Sequence, residues 1–326
     1  MYTAESLQNL YGPIAAPLEE ARNEVGALWT DALRLARVSE ARHVPQPGGK
    51  LLRPALCLLA TGALGAAKLS RYARLAAAFE ALHIASLAHD DVIDKAILRR
   101  GTSSLNALWD NHAAVLGGDY LVARAVEMLA EYDSCPVIAN AIVSVRRMAE
   151  GELFFFGRDE QEVTRDDCLM LAERKTASLF AEACSAPAYL LDESKREPLH
   201  RFGVALGTAF QLVDDVLDIT QPTGVLGKPA CGDVAEGKPT LPIFFLRTAL
   251  TAAQVQRLDE LRSRDITEDD RAWVIAQAQR AGVAEQTVAL AREYTQRAAT
   301  ELRALAPGPC RESMAGILEF ILFRVS

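Results

Sequence analysis

The 326-residue chain is poor in aromatics (6%), glycine (20 residues) and proline (14). Low Gly and Pro exclude collagen-like and loop-rich classes. Few aromatics beside abundant alanine favour helix over sheet, because Ala loses no side-chain entropy in a helix. A basic excess is also missing: 35 Lys and Arg against 43 Asp and Glu leave a net charge of −8. That removes the electrostatic footprint of a nucleic-acid binder, so an anionic ligand must be held by local cations. The longest run without a charge, Pro54 to Ala67, is too short to span a bilayer. Glu5 comes before the first basic residue, Arg22, so the basic start of a secretory leader is lacking. A cytoplasmic protein without a transmembrane segment is expected. The six cysteines form no CxxC pair and read as reduced core thiols, not as a disulfide frame or a zinc site.

What is present is apolar residues at helical spacing. The chain is 50% hydrophobic and 24% charged, enough to bury a large core and incompatible with disorder. Leu51, Pro54, Leu58 and Leu59 mark one face, Leu75, Phe79, Leu82 and Leu87 another, and Val204, Leu206, Phe210, Val213 and Leu217 a third. Breaks rich in Gly, Pro and polar residues fall at Pro45–Gly49, Lys95–Thr102, Gly157–Arg165, Asp192–Pro198, Thr220–Pro242 and Pro307–Pro309. Composition does not change across them, which predicts one all-α domain over residues 1–326.

Two acidic clusters carry the same DDxxD pattern. The first is Asp90, Asp91 and Asp94, and the second is Asp214, Asp215 and Asp218. On a helix, residues four apart share a face, so Asp90 pairs with Asp94 and Asp214 with Asp218. Like charges at that spacing repel, and the apolar flanks make the cost larger. A divalent cation converts the repulsion into binding. Mg²⁺ suits such a site, since it takes oxygen ligands and often sits between carboxylates and phosphates. A solvated acidic face is the plain reading of one such motif; two embedded in apolar helices favour metal.

Cations suited to phosphate accompany the clusters: Lys50 and Arg53 in Gly48–Pro54, Arg99 and Arg100 just after the first cluster, then Lys175, Lys228 and Lys238. His83 lies two turns before Asp90 on the same predicted helix face, where a satisfied core role and a functional one weigh evenly. His89 reads as a supporting residue.

In order and spacing, the blocks GGKLLRP, HIASLAHDDVID, LRRG, GGDYLVARA, EGE, KTASLF, FQLVDDVLD, GKPACGD and EGKPTLP resemble the trans-isoprenyl diphosphate synthases, or polyprenyl synthetases, from about Gly48 to Pro242. The resemblance implies a helical bundle around a central cavity, a homodimer with Gly117–Val122 near the subunit contact, and several Mg²⁺ ions per active site. It implies metal ligation by Asp90, Asp94 and Asp214, supported by Asp91, Asp215 and Asp218. An isopentenyl diphosphate site falls on Lys50, Arg53, His83 and Arg100. An allylic diphosphate site falls on Arg99, Lys175, Thr176, Gln211, Lys228 and Lys238. Arg324 resembles, weakly, a basic tail residue of the isopentenyl site. The implied reaction is head-to-tail (1′-4) condensation of isopentenyl diphosphate with an allylic diphosphate, with Lys175 among the catalytic groups.

Two departures stand out. Phe155 occupies a position where relatives usually carry Gln, and Cys231 one where Gly is usual. Cysteine disfavours positive φ, so the loop before Asp233 is expected to differ in shape. Ala85 and Ser86, the fifth and fourth residues before Asp90, are small. In the family this leaves the product tunnel open, so a product of geranylgeranyl length or longer is expected. Phe154, Phe155 and Phe156 could close the tunnel deeper down, or simply pack in the core. Competing readings are a short-chain synthase, a terpene cyclase or head-to-head condensing enzyme, a non-catalytic partner subunit and a helical scaffold with acidic patches.

Overall fold

The computed structural model describes residues 4–35, 49–94, 98–99, 102–103, 110–156, 158, 162–221, 230–263 and 265–323. Among them the chain is almost wholly helical. The helices are α1 (Ala4–Leu10), α2 (Ala15–Leu35), α3 (Leu52–Ala63), α4 (Ala73–Ile93), α5 (Asn111–Ala130), α6 (Cys135–Phe155), α7 (Arg165–Ala172) and α8 (Ser178–Leu191). After them come α9 (Arg196–Thr220), α10 (Gly232–Glu236), α11 (Leu241–Ala249), α12 (Ala252–Glu260), α13 (Glu268–Arg280), α14 (Val283–Glu301) and α15 (Pro309–Phe323). Two-residue strands, β1 (Leu98–Arg99) and β2 (Thr102–Ser103), pair antiparallel within the predicted Lys95–Thr102 break. No helix among the described residues is long and apolar enough to cross a membrane.

The main apolar cluster is built around α3, whose residues from Leu52 to Thr61 are all buried. A helix that is apolar on every side must be surrounded, and α3 packs against α4, α8 and α15. On α4, alanines at 76, 77, 78, 81, 85 and 88 are buried; their small side chains let α5 lie close along it. The helix carrying the second acidic cluster, α9, is seated between α8 and α14. Gly203 makes the α8 side of that seat, because a Cβ there would lie 2.5 Å from the Ala181 Cα. A second, smaller cluster joins Ile219, Cys231, Val234, Leu246, Leu258 and Val274, and Phe245 touches both clusters.

Four cysteines (57, 168, 184 and 231) are buried free thiols as expected. Cys135 is exposed and Cys310 half-buried, so those two are not core residues. Both stand at the first turn of a helix, where half the residue's surroundings is solvent.

Candidate active site

The first acidic cluster sits at the end of α4 instead of inside it. Helical dihedrals stop at Ile93, and Asp94 is the C-cap, its N–H donating to the Asp90 carbonyl at 2.8 Å. A carboxylate at a helix C-terminus meets the negative end of the macrodipole, so it needs a cation. Lys238 supplies one: its Nζ is 2.7 Å from Asp94 Oδ2, and it also pairs with Glu236. Lys175 serves Asp90 in the same way, with Nζ 3.8 Å from Asp90 Oδ2 and a closer contact to Glu152. Asp91 turns the other way and is buried.

Lys175 and Thr176 belong to a π-helical turn, Glu173–Ala177, between α7 and α8. The wider turn re-aims successive side chains, a device frequent at functional sites. Lys175 reaches toward α4 and α6. Thr176 turns to α9, where its Oγ1 donates to Gln211 Oε1 at 2.5 Å. Gln211 Nε2 then donates to Asp215 Oδ1 at 2.6 Å. One helical turn on, buried Asp218 accepts the Asp233 backbone N–H at 3.0 Å through Oδ2, while its carbonyl accepts the Cys231 N–H at 2.9 Å. Asp214 is half-buried and, four positions before Asp218, shares its side of α9.

The electrostatics tie the two clusters together. Burial raises the Asp90 carboxyl, opposed by Lys175 and reinforced by Glu152 and Asp94. Burial also raises Asp215; the Gln211 hydrogen bond and the Lys175 charge oppose it, while Asp214 and Asp218 add to it. Burial alone would lower Lys175, but the Asp90 charge holds it above its ordinary value. Glu236 is raised by burial and feels both Asp94 and Asp218. Lys175 and Glu236 thus each feel carboxylates of both clusters, which places the clusters around one centre.

The acidic side chains offer the oxygen donors that a divalent cation takes, and among the described residues no three of them stand close enough together to form a metal site by themselves. Burial makes two of these carboxylates, Asp90 and Asp215, hold protons more tightly than usual. Asp90, Asp94 and Asp214 are the residues that could hold the cation.

Several expectations change. Asp90 and Asp94 are paired with lysines far along the chain, partners not assigned to them from the sequence. Cys231 takes the positive φ that cysteine disfavours, with φ 57 and ψ 34 in the left-handed region that favours Gly; residues 222–229 of the loop before it lie outside the described residues. Phe154, Phe155 and Phe156 are not core residues. Phe154 and Phe155 are half-buried against each other, Arg158 stacks 3.7 Å over Phe154, and Phe156 is 88% exposed. They follow Glu152, the partner of Lys175, so they stand at the level of the acidic clusters and not deeper in the bundle. Glu152 and Glu236 had no role in the sequence reading; the EGE and EGKPTLP blocks were the only signal for them.

Away from the clusters, Lys50 and Arg53 flank the start of α3. The Lys50 ammonium lies 5.4 Å from the Phe320 ring centroid and the Arg53 guanidinium 4.4 Å from that of Phe180. His83 is half-buried on the Asp90 face of α4. Ser86 shares that face, half-buried, with its hydroxyl on the His83 carbonyl at 2.8 Å, whereas Ala85 is packed in the main cluster. His89 Nε2 sits 3.2 Å from the Val115 carbonyl and 3.3 Å from Asp119 Oδ1, bracing α4 on α5. The Arg99 side chain, Arg100, Lys228 and Arg324 lie outside the described residues.

The polyprenyl synthetase sequence profile matches residues 37–279, well over half the chain. The chain belongs to the polyprenyl synthetase family. It is a prenyltransferase. The all-trans-nonaprenyl-diphosphate synthase (geranyl-diphosphate specific) of Rhodobacter capsulatus is 37% identical over 292 residues, 88% of this chain and 89% of that one. A solved polyprenyl synthase from Caulobacter crescentus, complexed with calcium and isoprenyl diphosphate, superposes with a TM-score of 0.82 at 31% identity, covering 95% of this chain and 98% of that one. Geranylgeranyl pyrophosphate synthetase from Pyrococcus horikoshii superposes at 0.83 with 27% identity, covering 97% and 98%. These neighbours account for the all-α bundle.

Proposed function

We propose that the chain condenses isopentenyl diphosphate head-to-tail with an allylic diphosphate, in one domain, to give a trans-polyprenyl diphosphate of geranylgeranyl length or longer. The observation that carries this reading is the sharing of Lys175 by both acidic clusters. Two carboxylate clusters around a shared lysine suit a diphosphate leaving group and its counter-ions. The calcium and isoprenyl diphosphate of the Caulobacter structure support the ligand class.

In the reaction the allylic C–O bond breaks to leave a carbocation and diphosphate. The alkene of isopentenyl diphosphate then attacks the cation, and a proton departs. Mg²⁺ held by Asp90, Asp94 and Asp214 would supply stabilisation of the charge that grows on the leaving diphosphate. Lys175 and Lys238 would exchange their carboxylate partners for diphosphate oxygens. Thr176 and Gln211 would orient the group through the hydrogen-bond chain that ends on Asp215. Lys50 and Arg53, with His83 beside them, would hold the second diphosphate so that its alkene meets the cation, which is catalysis by positioning. Arg99, Arg100 and Lys228 would add to the two diphosphate sites. The departing diphosphate would take the proton.

Product length is supported by Ser86, a small side chain on the Asp90 face of α4, and by the nonaprenyl relative. Two exposed apolar residues on α5, Val115 and Leu116, and Ile142 on α6 support a homodimer.

The test is a labelled isopentenyl diphosphate assay on purified protein with several allylic starters, with and without a chelator, resolving products by chromatography. Metal-dependent chain elongation past farnesyl, shortened by Ser86→Phe, is expected. Chelator-resistant turnover, or termination at farnesyl, would sink the metal or the length assignment respectively. Hydrocarbon released from the starter alone would make the protein a cyclase. A monomer by light scattering would overturn the homodimer.

A further inference from the structure

Tyr11 closes α1 and is buried. Its hydroxyl donates a 2.7 Å hydrogen bond to the Lys50 carbonyl, 39 positions later. The next residue, Leu51, is buried and left-handed, with φ 48 and ψ 39. That conformation is disfavoured for any residue with a Cβ, and more so for a bulky one. Gly48 and Gly49 stand just upstream, yet the turn is made at a leucine. Such an outlier persists only when its surroundings over-determine it.

Two features do so here. The Leu51 side chain is anchored in the main apolar cluster, and its carbonyl accepts the Ala55 N–H at 3.0 Å to start α3. Tyr11 then holds the Lys50–Leu51 peptide from the other side. The turn decides where Lys50 leaves the helix relative to Arg53 in its first turn. Phe320 of α15 and Phe180 of α8 stand under the two cations. Tyr11 lies outside the matched residues 37–279, so nothing in the family profile speaks for it.

We propose that Tyr11 is a positioning residue of the isopentenyl half of the site: its hydrogen bond to the Lys50 carbonyl holds the left-handed turn at Leu51 and so aims Lys50 and Arg53 at the second diphosphate. The inference rests on the reading of Lys50 and Arg53 as isopentenyl diphosphate ligands.

Steady-state kinetics of Tyr11→Phe, Lys50→Ala and the double variant, with each substrate varied in turn, test both. Phenylalanine keeps the ring in the core and removes only the donor. Losing one hydrogen bond should raise KM for isopentenyl diphosphate roughly three- to tenfold. KM for the allylic starter should stay within about twofold, as for a change that weakens binding of one substrate only. On the Lys50→Ala background Tyr11→Phe should raise that KM by a clearly smaller factor, since only its effect through Arg53 remains. The proposal is overturned if Lys50→Ala raises that KM and Tyr11→Phe does not, or if Tyr11→Phe gives the same factor on both backgrounds. If Lys50→Ala leaves the KM unchanged, the isopentenyl assignment falls, and this inference falls with it.

Discussion

The Lys238 ammonium lies 2.7 Å from Asp94 Oδ2, across 144 positions of sequence. The contact brings the loop after α10 onto the C-cap of α4, and Glu236 shares the same ammonium. Burial would lower Lys238, but Glu236 and Asp94 hold it well above its usual value, so it stays charged throughout the working range. Replacing it by Met leaves two half-buried carboxylates without their cation and removes a candidate diphosphate contact. Lys238→Met should reduce kcat/KM for the allylic substrate by roughly a hundredfold or more, about 3 kcal/mol of lost transition-state stabilisation. A loss under tenfold would show that the pair is structural only.

Gly207 sets the distance between α9 and the π turn that carries Lys175 and Thr176. A methyl group there would meet the Ala177 Cα at 2.6 Å, and backbone cannot yield as a flexible side chain would. Gly207→Ala should destabilise the fold by about 1–3 kcal/mol, the usual cost of overpacking a tight contact. It should also lower activity, because the Thr176–Gln211 bond spans the same contact. Thermal melts together with turnover check this; an alanine variant as stable as the parent would show that the helices can part freely.

Cys231 is buried and left-handed. Leaving that conformation unstrained favours glycine by about 1–2 kcal/mol, while alanine keeps the strain and loses the thiol packing. Cys231→Gly should therefore be at least as stable as Cys231→Ala, the reverse of the order expected at an ordinary buried position. Comparing the two melting temperatures decides it.

Thr164 and Asp167 form a capping box at the start of α7, with the Thr164 N–H and hydroxyl donating to Asp167 at 3.0 and 2.7 Å. These bonds hold the Asp167 carboxyl below its usual range. A lowered folded-state value stabilises above the unfolded-state pKa of about 3.9, and that contribution is lost as pH falls through the folded value. Thr164→Ala should cost about 1 kcal/mol at neutral pH. The gap between parent and variant should narrow below about pH 4. Melting curves from pH 3 to 7 test the sign, and a gap that widens in acid would contradict it.

The helices, the two acidic clusters and the ordered cations were legible in the sequence, because helical period and charge spacing are local properties that three or four residues express by themselves. Picking out the carboxylates proposed to act in catalysis required nothing more. What compensates them was not legible. Lys175, Lys238, Glu152 and Glu236 meet Asp90 and Asp94 only through packing between distant helices, and linear order carries no distance between residues 144 positions apart. The sequence also misled at Cys231, where intrinsic backbone preference was overruled by the hydrogen bonds that Asp218 makes to the loop. It misled again at Phe154–Phe156, whose apolar composition suggests core, while the end of α6 leaves Phe156 facing water. Local chemistry was thus written in the chain; which groups share one centre, and which strained turns persist, was decided by the packing of the bundle.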